Sequence, residues 1–521
     1  MAKEHVRDAR FAVTRRQALG TLGGLALAGV CASGACAPLA ALADVPAGST
    51  GASDTLRMAI SVDPDGLDPQ RTAAAATFEI TNNIYDPLLR VTTDGELVEG
   101  LATSWDVSDD GLTLTFKLRD NVKFSNGDAC DASAVVASFQ RLQAQDSPRN
   151  SEYAGYSFSA PDETTVVATC EELNVVALTD FAYAWSAVVD AKVADDLASH
   201  PVGTGPYVLD EWTPQQSVTL TANDSYWGDA PRTRTVKLVE IPDATTQLSS
   251  LRTGDVDWIL ADSSQVSAFQ GDDAFQVIES PTNAVQLMAM RCTNEALSDE
   301  RVRQAINMAV NKDELIQTVW WGYGQKIGSH YPTVLKDYVD CNDTYAYDPD
   351  GARELLRQAG YDSGLTLRMR LPKDYPFYVS AGQMIADYLS QVGVTCDIEI
   401  VEWATWLDEV YNGHDYDLTV VGHTGRLDPI TMLARYRSDS SENYFEFSSD
   451  EVDSLIDSYR TELDEGRRSE ISQDIQRELA KDVPALYIQT PVLVYIAKAS
   501  LEGFVTYPID VYELKDVTVG K

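Results

Sequence analysis

The loop Gly422-His423-Thr424-Gly425-Arg426-Leu427-Asp428-Pro429 carries the residue types best suited to selective chemistry in this chain. A guanidinium fork matches a carboxylate or phosphate through paired hydrogen bonds. Arg426 therefore points to an anionic group on a ligand, or to a reversed binding polarity. An ion pair with Asp428 that only holds the loop is the other reading, and both stay open. His423, Thr424 and Asp428 belong to the same candidate set. A second loop, 372–380, offers Lys373 with the aromatic residues Tyr375, Phe377 and Tyr378. Nine Trp and 24 Tyr suit a cleft that stacks on its ligand, although most aromatic residues in any chain are core.

Catalytic chemistry finds no purchase. G-x-S-x-G, H-E-x-x-H and S-x-x-K are all missing, and His200, His330, His414 and His423 stand at no metal-ligand spacing. Asp63, Asp65 and Asp68 crowd one turn, but not in the D-x-D-x-D-G pattern of a calcium loop, so a solvated turn is expected. The run Pro201-Val202-Gly203-Thr204-Gly205-Pro206-Tyr207 is no phosphate loop either. It reads as a crossover between lobes whose glycines permit unusual backbone angles.

The two candidate loops gain meaning from what must position them. Residues 365–371, 395–401 and 418–421 alternate as strands, with helices at 381–392 and 402–411 between them. Strands alternating with helices predict a parallel sheet whose ligand side lies at the strands' carboxyl ends, which is where 372–380 and 422–429 fall. Earlier in the chain, 112–118 alternates as a strand and Asn126-Gly127 marks a tight turn after a short strand at 122–124. Asp131 is the expected cap of a helix over 132–142.

That earlier stretch, 101–141, reads W-x-x-S-x-D-G-L-T-x-T-F-x-L-R-x-x-V-K-F-x-x-G followed by S-F-x-R. Its Trp105, Ser108, Asp110, Gly111, Leu112, Thr113, Thr115, Phe116, Leu118, Arg119, Val122, Lys123, Phe124, Gly127, Ser138, Phe139 and Arg141 resemble the signature of family 5 extracellular solute-binding proteins. These are the binding components of dipeptide, oligopeptide and nickel ABC importers. Gly203 to Tyr207 is similar to the family's G-T-G-P-Y motif, Asn223 with Tyr226-Trp227 to a second element, and Arg303-Gln304-Ala305-Ile306 to its R-x-A-I helix.

The resemblance implies an α/β, bilobal, periplasmic-binding-protein type II fold with an extra small α+β domain and two lobes joined by a hinge. Lobe I would take 54–91, 203–286 and 494–521, the small domain 92–202, and lobe II 287–493, with the chain crossing into lobe II near 288–293. It implies that residues near Asp65 to Asp68, after the first strand, border the ligand. Peptide-binding members place an Asp for the ammonium group where this chain has Arg426. Dipeptide binders keep an Arg for the carboxyl end where this chain has Lys373, Tyr375, Phe377 and Tyr378. Both departures count against a simple dipeptide binder.

Composition bounds the rest. A net charge of −40 repels nucleic acid and anionic lipid, so no nucleic-acid partner is expected. Residues 1–43 read as an export signal, with Thr14-Arg15-Arg16-Gln17-Ala18-Leu19 resembling the twin-arginine motif. Cleavage after Ala43 and lipidation at Cys36 are both open, and 44–53 is a linker. The five later cysteines, Cys130, Cys170, Cys292, Cys341 and Cys396, form no disulfide framework. The expected protein is a monomer with no cofactor and no metal, at the periplasmic or outer side of the cytoplasmic membrane, touching it through a lipid anchor or its permease and ATPase partners. It captures a peptide or small anionic solute. A chelated nickel or other metal is the alternative ligand; a secreted hydrolase and a signalling receptor are the alternatives of another class.

Overall fold

The computed structural model describes residues 53–428, 430–509 and 511–520. The export segment and its cysteines lie outside the described residues, as does the linker up to Ala52. Among the described residues no helix is long and apolar enough to cross a membrane.

The lobe that carries the candidate loops is built around Leu365–Pro372, which pairs in parallel with Val394–Val401 and with Leu418 of Leu418–His423. Helix Pro376–Gln391 makes the crossover and buries Ala381, Ile385 and Leu389. It begins five residues before the expected start because Pro376 serves as a first-turn residue, where a missing N–H costs nothing. Residues 403–412 follow as a short helix running into a π turn. Strand Val285–Met290 adds on antiparallel to Leu418–His423.

The other lobe centres on Thr55–Ile60, parallel to Thr235–Glu240 and to Trp258, with Ser217–Ala222 and Tyr207–Thr213 extending the sheet antiparallel. One strand belongs to both lobes. Ala485–Lys498 pairs through Ala485 to Gln489 with Val285–Met290, and through Val492 to Lys498 with Trp258–Ala261 and Phe275–Pro281. The chain therefore crosses at 282–284 and again at 490–492. The first crossing precedes the expected 288–293, because Met288 and Met290 are fully buried strand residues and the polar Thr282-Asn283 pair separates two apolar runs. Thr282 donates its N–H and hydroxyl to Pro491 O at 3.0 and 3.1 Å, tying the two crossings together. The buried Arg303 of the R-x-A-I helix donates to the carbonyls of Asp482 and Val483, where helix Glu465–Asp482 ends just before the shared strand. A cation there satisfies orphan carbonyls and complements the helix dipole.

A separate antiparallel sheet joins Ala102–Val107, Thr113–Leu118, Thr165–Cys170 and Tyr156–Asp162. Helix Ala132–Leu142 packs on it through Val135, Phe139 and Leu142, and Asp131 accepts from Ala134 N at 2.9 Å as its cap. Residues 122–124 form only the bridge Lys123 to Ala129, because Gly127 at φ +92° closes the turn too soon for a strand. Two polar residues of the signature fasten this unit to the loop after the first strand. Ser138 accepts from Gln70 Nε2 at 3.0 Å, and Arg141 pairs with Asp68 and donates to Gln70 Oε1 at 2.9 Å.

The glycine motif departs from its expected reason. Gly203 and Gly205 are absent from the left-handed region; a Cβ on them would lie 2.1 and 2.6 Å from the Ile84 carbonyl. Close backbone approach, and not an unusual angle, demands glycine here. The motif joins the small sheet to Tyr207–Thr213 and does not cross between lobes. All five cysteines among the described residues are free thiols.

Asp86, fully buried, ties these segments together. It accepts from Thr204 Oγ1 and Trp227 Nε1, both at 2.8 Å, and pairs with Arg90. Asp86→Ala leaves Arg90 with the more distant Glu513, at 3.8 Å, and strands two donors, so a loss of about 3–5 kcal/mol in unfolding free energy is expected. Urea titration followed by tryptophan fluorescence measures it.

Candidate functional site

A cavity of about 500 Å³ opens where the crossover, the small sheet unit and the 422–428 loop meet. One wall comes from Arg149, which follows helix Ala132–Leu142, and from the irregular segment carrying Tyr183 and Trp185. The opposing wall is Thr424, Gly425 and Arg426, at the carboxyl end of strand Leu418–His423. Phe78, from helix Ala75–Thr81, and Asn283, from the crossover, complete it. Gly425 is required by contact: a Cβ there would lie 1.7 Å from the Asn283 carbonyl oxygen. The loop thus rests on the crossover backbone itself.

Two guanidinium groups share one aromatic platform. Tyr183 and Trp185 stack with centroids 4.2 Å apart and planes 8° from parallel. Arg149 lies 4.4 Å and Arg426 5.0 Å from the Trp185 ring centre, within cation–π range. Glu152 bridges the cations: its Oε1 accepts from Arg149 Nη1 and from Arg426 Nη2, each at 3.0 Å. Leu427 N donates to Tyr183 Oη at 2.9 Å, a second link from the loop to this platform. Burial works against the Arg426 charge, but the Glu152 hydrogen bond and charge outweigh it and raise its pKa. Asp180, on the neighbouring cavity with Glu152, is pushed up to about 6, chiefly by burial.

The model of the bacterial extracellular solute-binding proteins, family 5, middle region, matches residues 96–444. The chain is a family 5 solute-binding protein. It is 26% identical to the dipeptide-binding protein of Escherichia coli (strain K12), over 88% of this chain and 93% of that one. It is 26% identical to the glutathione-binding protein of Pectobacterium atrosepticum, over 86% and 91%. Its fold matches that of HbpA2 from Haemophilus parasuis at a TM-score of 0.83 and 23% identity, covering 89% of this chain and 99% of that one.

Of the residues that sequence singles out in this solute-binding protein, the cavity brings together Arg426 and Thr424. Arg426 takes Glu152 as its partner, while Asp428 accepts from Ile430 N and from Tyr459 Oη on the far side of the loop. His423 is core: its Nδ1 lies 3.2 Å from His330 Nε2 and its Nε2 2.9 Å from Tyr444 Oη. Burial, helped by the Arg435 charge, holds both histidines well below their ordinary pKa, hence neutral. Tyr375 packs on Tyr378 and Trp403, and Phe377 on Trp321; none of the three residues of that loop lines the cavity. Tyr378 presses on the candidate loop from behind, with its hydroxyl where a Cβ on Gly422 would be. Asp65 is exposed and accepts from Thr72 and Thr77, organising the start of helix Ala75–Thr81.

Sequence reasoning passed over Arg149, Glu152, Tyr183, Trp185 and Asn283. Their segments carry no strand or helix period. The Tyr-x-Trp pair beside Asp180 in an otherwise apolar run was the one available signal.

Asp428 is half-buried, and desolvation of its carboxyl pushes its pKa up to about 7 from an ordinary 3.8. Between those values the folded chain holds a proton that the unfolded chain releases, so this residue's contribution is lost as pH rises through the window. Asp428→Asn removes that dependence. The variant's stability relative to the parent is expected to rise by about 2–3 kcal/mol from pH 5 to pH 8, read by urea titration at both.

Proposed function

We propose that this protein is the extracytoplasmic binding component of an ABC importer, capturing a peptide or peptide-like solute in the 500 Å³ cavity and delivering it to the permease. The observation that carries the reading is the cavity's place. It sits against Asn283 of the first crossing, with walls from either lobe, so a ligand there favours the two lobes closed over it. The dipeptide-binding and glutathione-binding relatives support a peptide as the cargo class. The volume lies within the range that encloses a small organic ligand. Binding chemistry is what this wall offers: guanidinium, indole and amide donors on a stacked aromatic floor. In this reading Arg426 contacts the ligand directly, with Thr424 beside it, and Tyr375, Phe377 and Tyr378 support the lobe.

Native mass spectrometry of the purified protein identifies what it retains, and that ligand is then expected to raise the melting temperature without being converted. Arg426→Ala is expected to weaken its binding at least about tenfold, with an unchanged circular dichroism spectrum. Equal dissociation constants for variant and parent would remove Arg426 from the site; product formation from the ligand would replace binding by catalysis.

A further inference from the structure

Three side chains that line this cavity each carry a donor with nothing to donate to among the described residues. Arg149 Nε, Trp185 Nε1 and Asn283 Nδ2 are each buried and have no acceptor among the described residues, and all three side chains line the same space. Asn283 is only 6% exposed. A buried donor left unmatched costs about 1–3 kcal/mol, so three around one cavity mark where an acceptor-rich group docks. Charge agrees. In a chain with 80 acidic and 40 basic residues, the described residues of the cavity lining include two arginines and no acid. Glu152, which engages both guanidinium groups, lines the neighbouring cavity on the other side of Arg426. It holds two like charges side by side without covering the surface they give to the ligand cavity.

We infer that the ligand enters carboxylate first. Its carboxylate docks against Arg149 and Arg426 beside the Trp185 ring, and Trp185 Nε1 and Asn283 Nδ2 donate to its remaining oxygen atoms. An ammonium group in the same position meets two cations and, among the described lining residues, no acid, so the amino end is not what these side chains select. The substrate class is then peptides and peptide-like acids with an unblocked carboxylate, including those whose amino group is acylated. The inference rests on the peptide reading above and deepens it.

Pooled tri- and tetrapeptides are prepared with both ends unblocked, N-acetylated, or C-amidated. Each pool is offered to the full purified protein, retained members are read by native mass spectrometry, and the strongest binder is titrated by calorimetry in all three forms. N-acetylation is expected to change the dissociation constant by less than about threefold, and amidation to weaken it at least about tenfold. In Arg149→Ala the amidation penalty is expected to shrink below about threefold. A large acetylation penalty with amidation tolerated overturns the polarity and leaves the peptide reading standing. An amidation penalty undiminished in Arg149→Ala removes that residue, and with it the two-arginine dock. Retention of no pool overturns the peptide reading and this inference together.

Discussion

Everything in this molecule hangs on a strand that two sheets share. Ala485–Lys498 gives its first residues to one lobe and its last to the other, and a second connection between the sheets runs through Pro281 to Val285. Backbone hydrogen bonds hold each half of the strand to its own sheet, so each lobe is rigid up to the crossing and relative movement concentrates at the crossing. Pro491 fits this position because it has no N–H to leave unpaired where the ladder changes partners. The Arg303 guanidinium bonds to the carbonyls just ahead of the shared strand and so fixes its entry into one lobe.

A protein this acidic must spend local charge with care. Its arginines are mostly neutralised at the surface, for instance Arg301 by Asp299 and Arg357 by Glu354. The Arg149–Glu152–Arg426 cluster differs in being partly buried and in setting two cations against one anion. Such a pair is tolerable only because Glu152 bridges it and the π-face of Trp185 lies against both. In the proposed binding mode, long-range attraction for cations and short-range selection for anions then coexist on one molecule.

Much of the scaffold was legible because its signals are periodic. Alternation located Thr113–Leu118 and the three parallel strands Leu365–Pro372, Val394–Val401 and Leu418–His423. Asp131 announced its helix by capping chemistry. The rule that ligands gather at the carboxyl ends of parallel strands led to the loop that carries Thr424 and Arg426. The opposing wall was not legible, since Arg149, Glu152 and Trp185 sit in short turns whose positions depend on tertiary packing. Glu152 occupies a four-residue helix, too short for any period to show. Asp428 and His423, neighbours of Arg426 in sequence, turn to other faces of the loop, and only the fold separates their roles.

The contact of Gly425 with the Asn283 carbonyl has a mechanical meaning. Displacement in a rotating body grows with distance from the axis, and this contact places the loop almost on the axle. A rotation of the lobes about the crossing would therefore move Thr424 to Arg426 little and the outer rims much farther. In the proposed binding mode the arginine loop would be the fixed jaw of a clamp, an anvil already in place when a solute arrives.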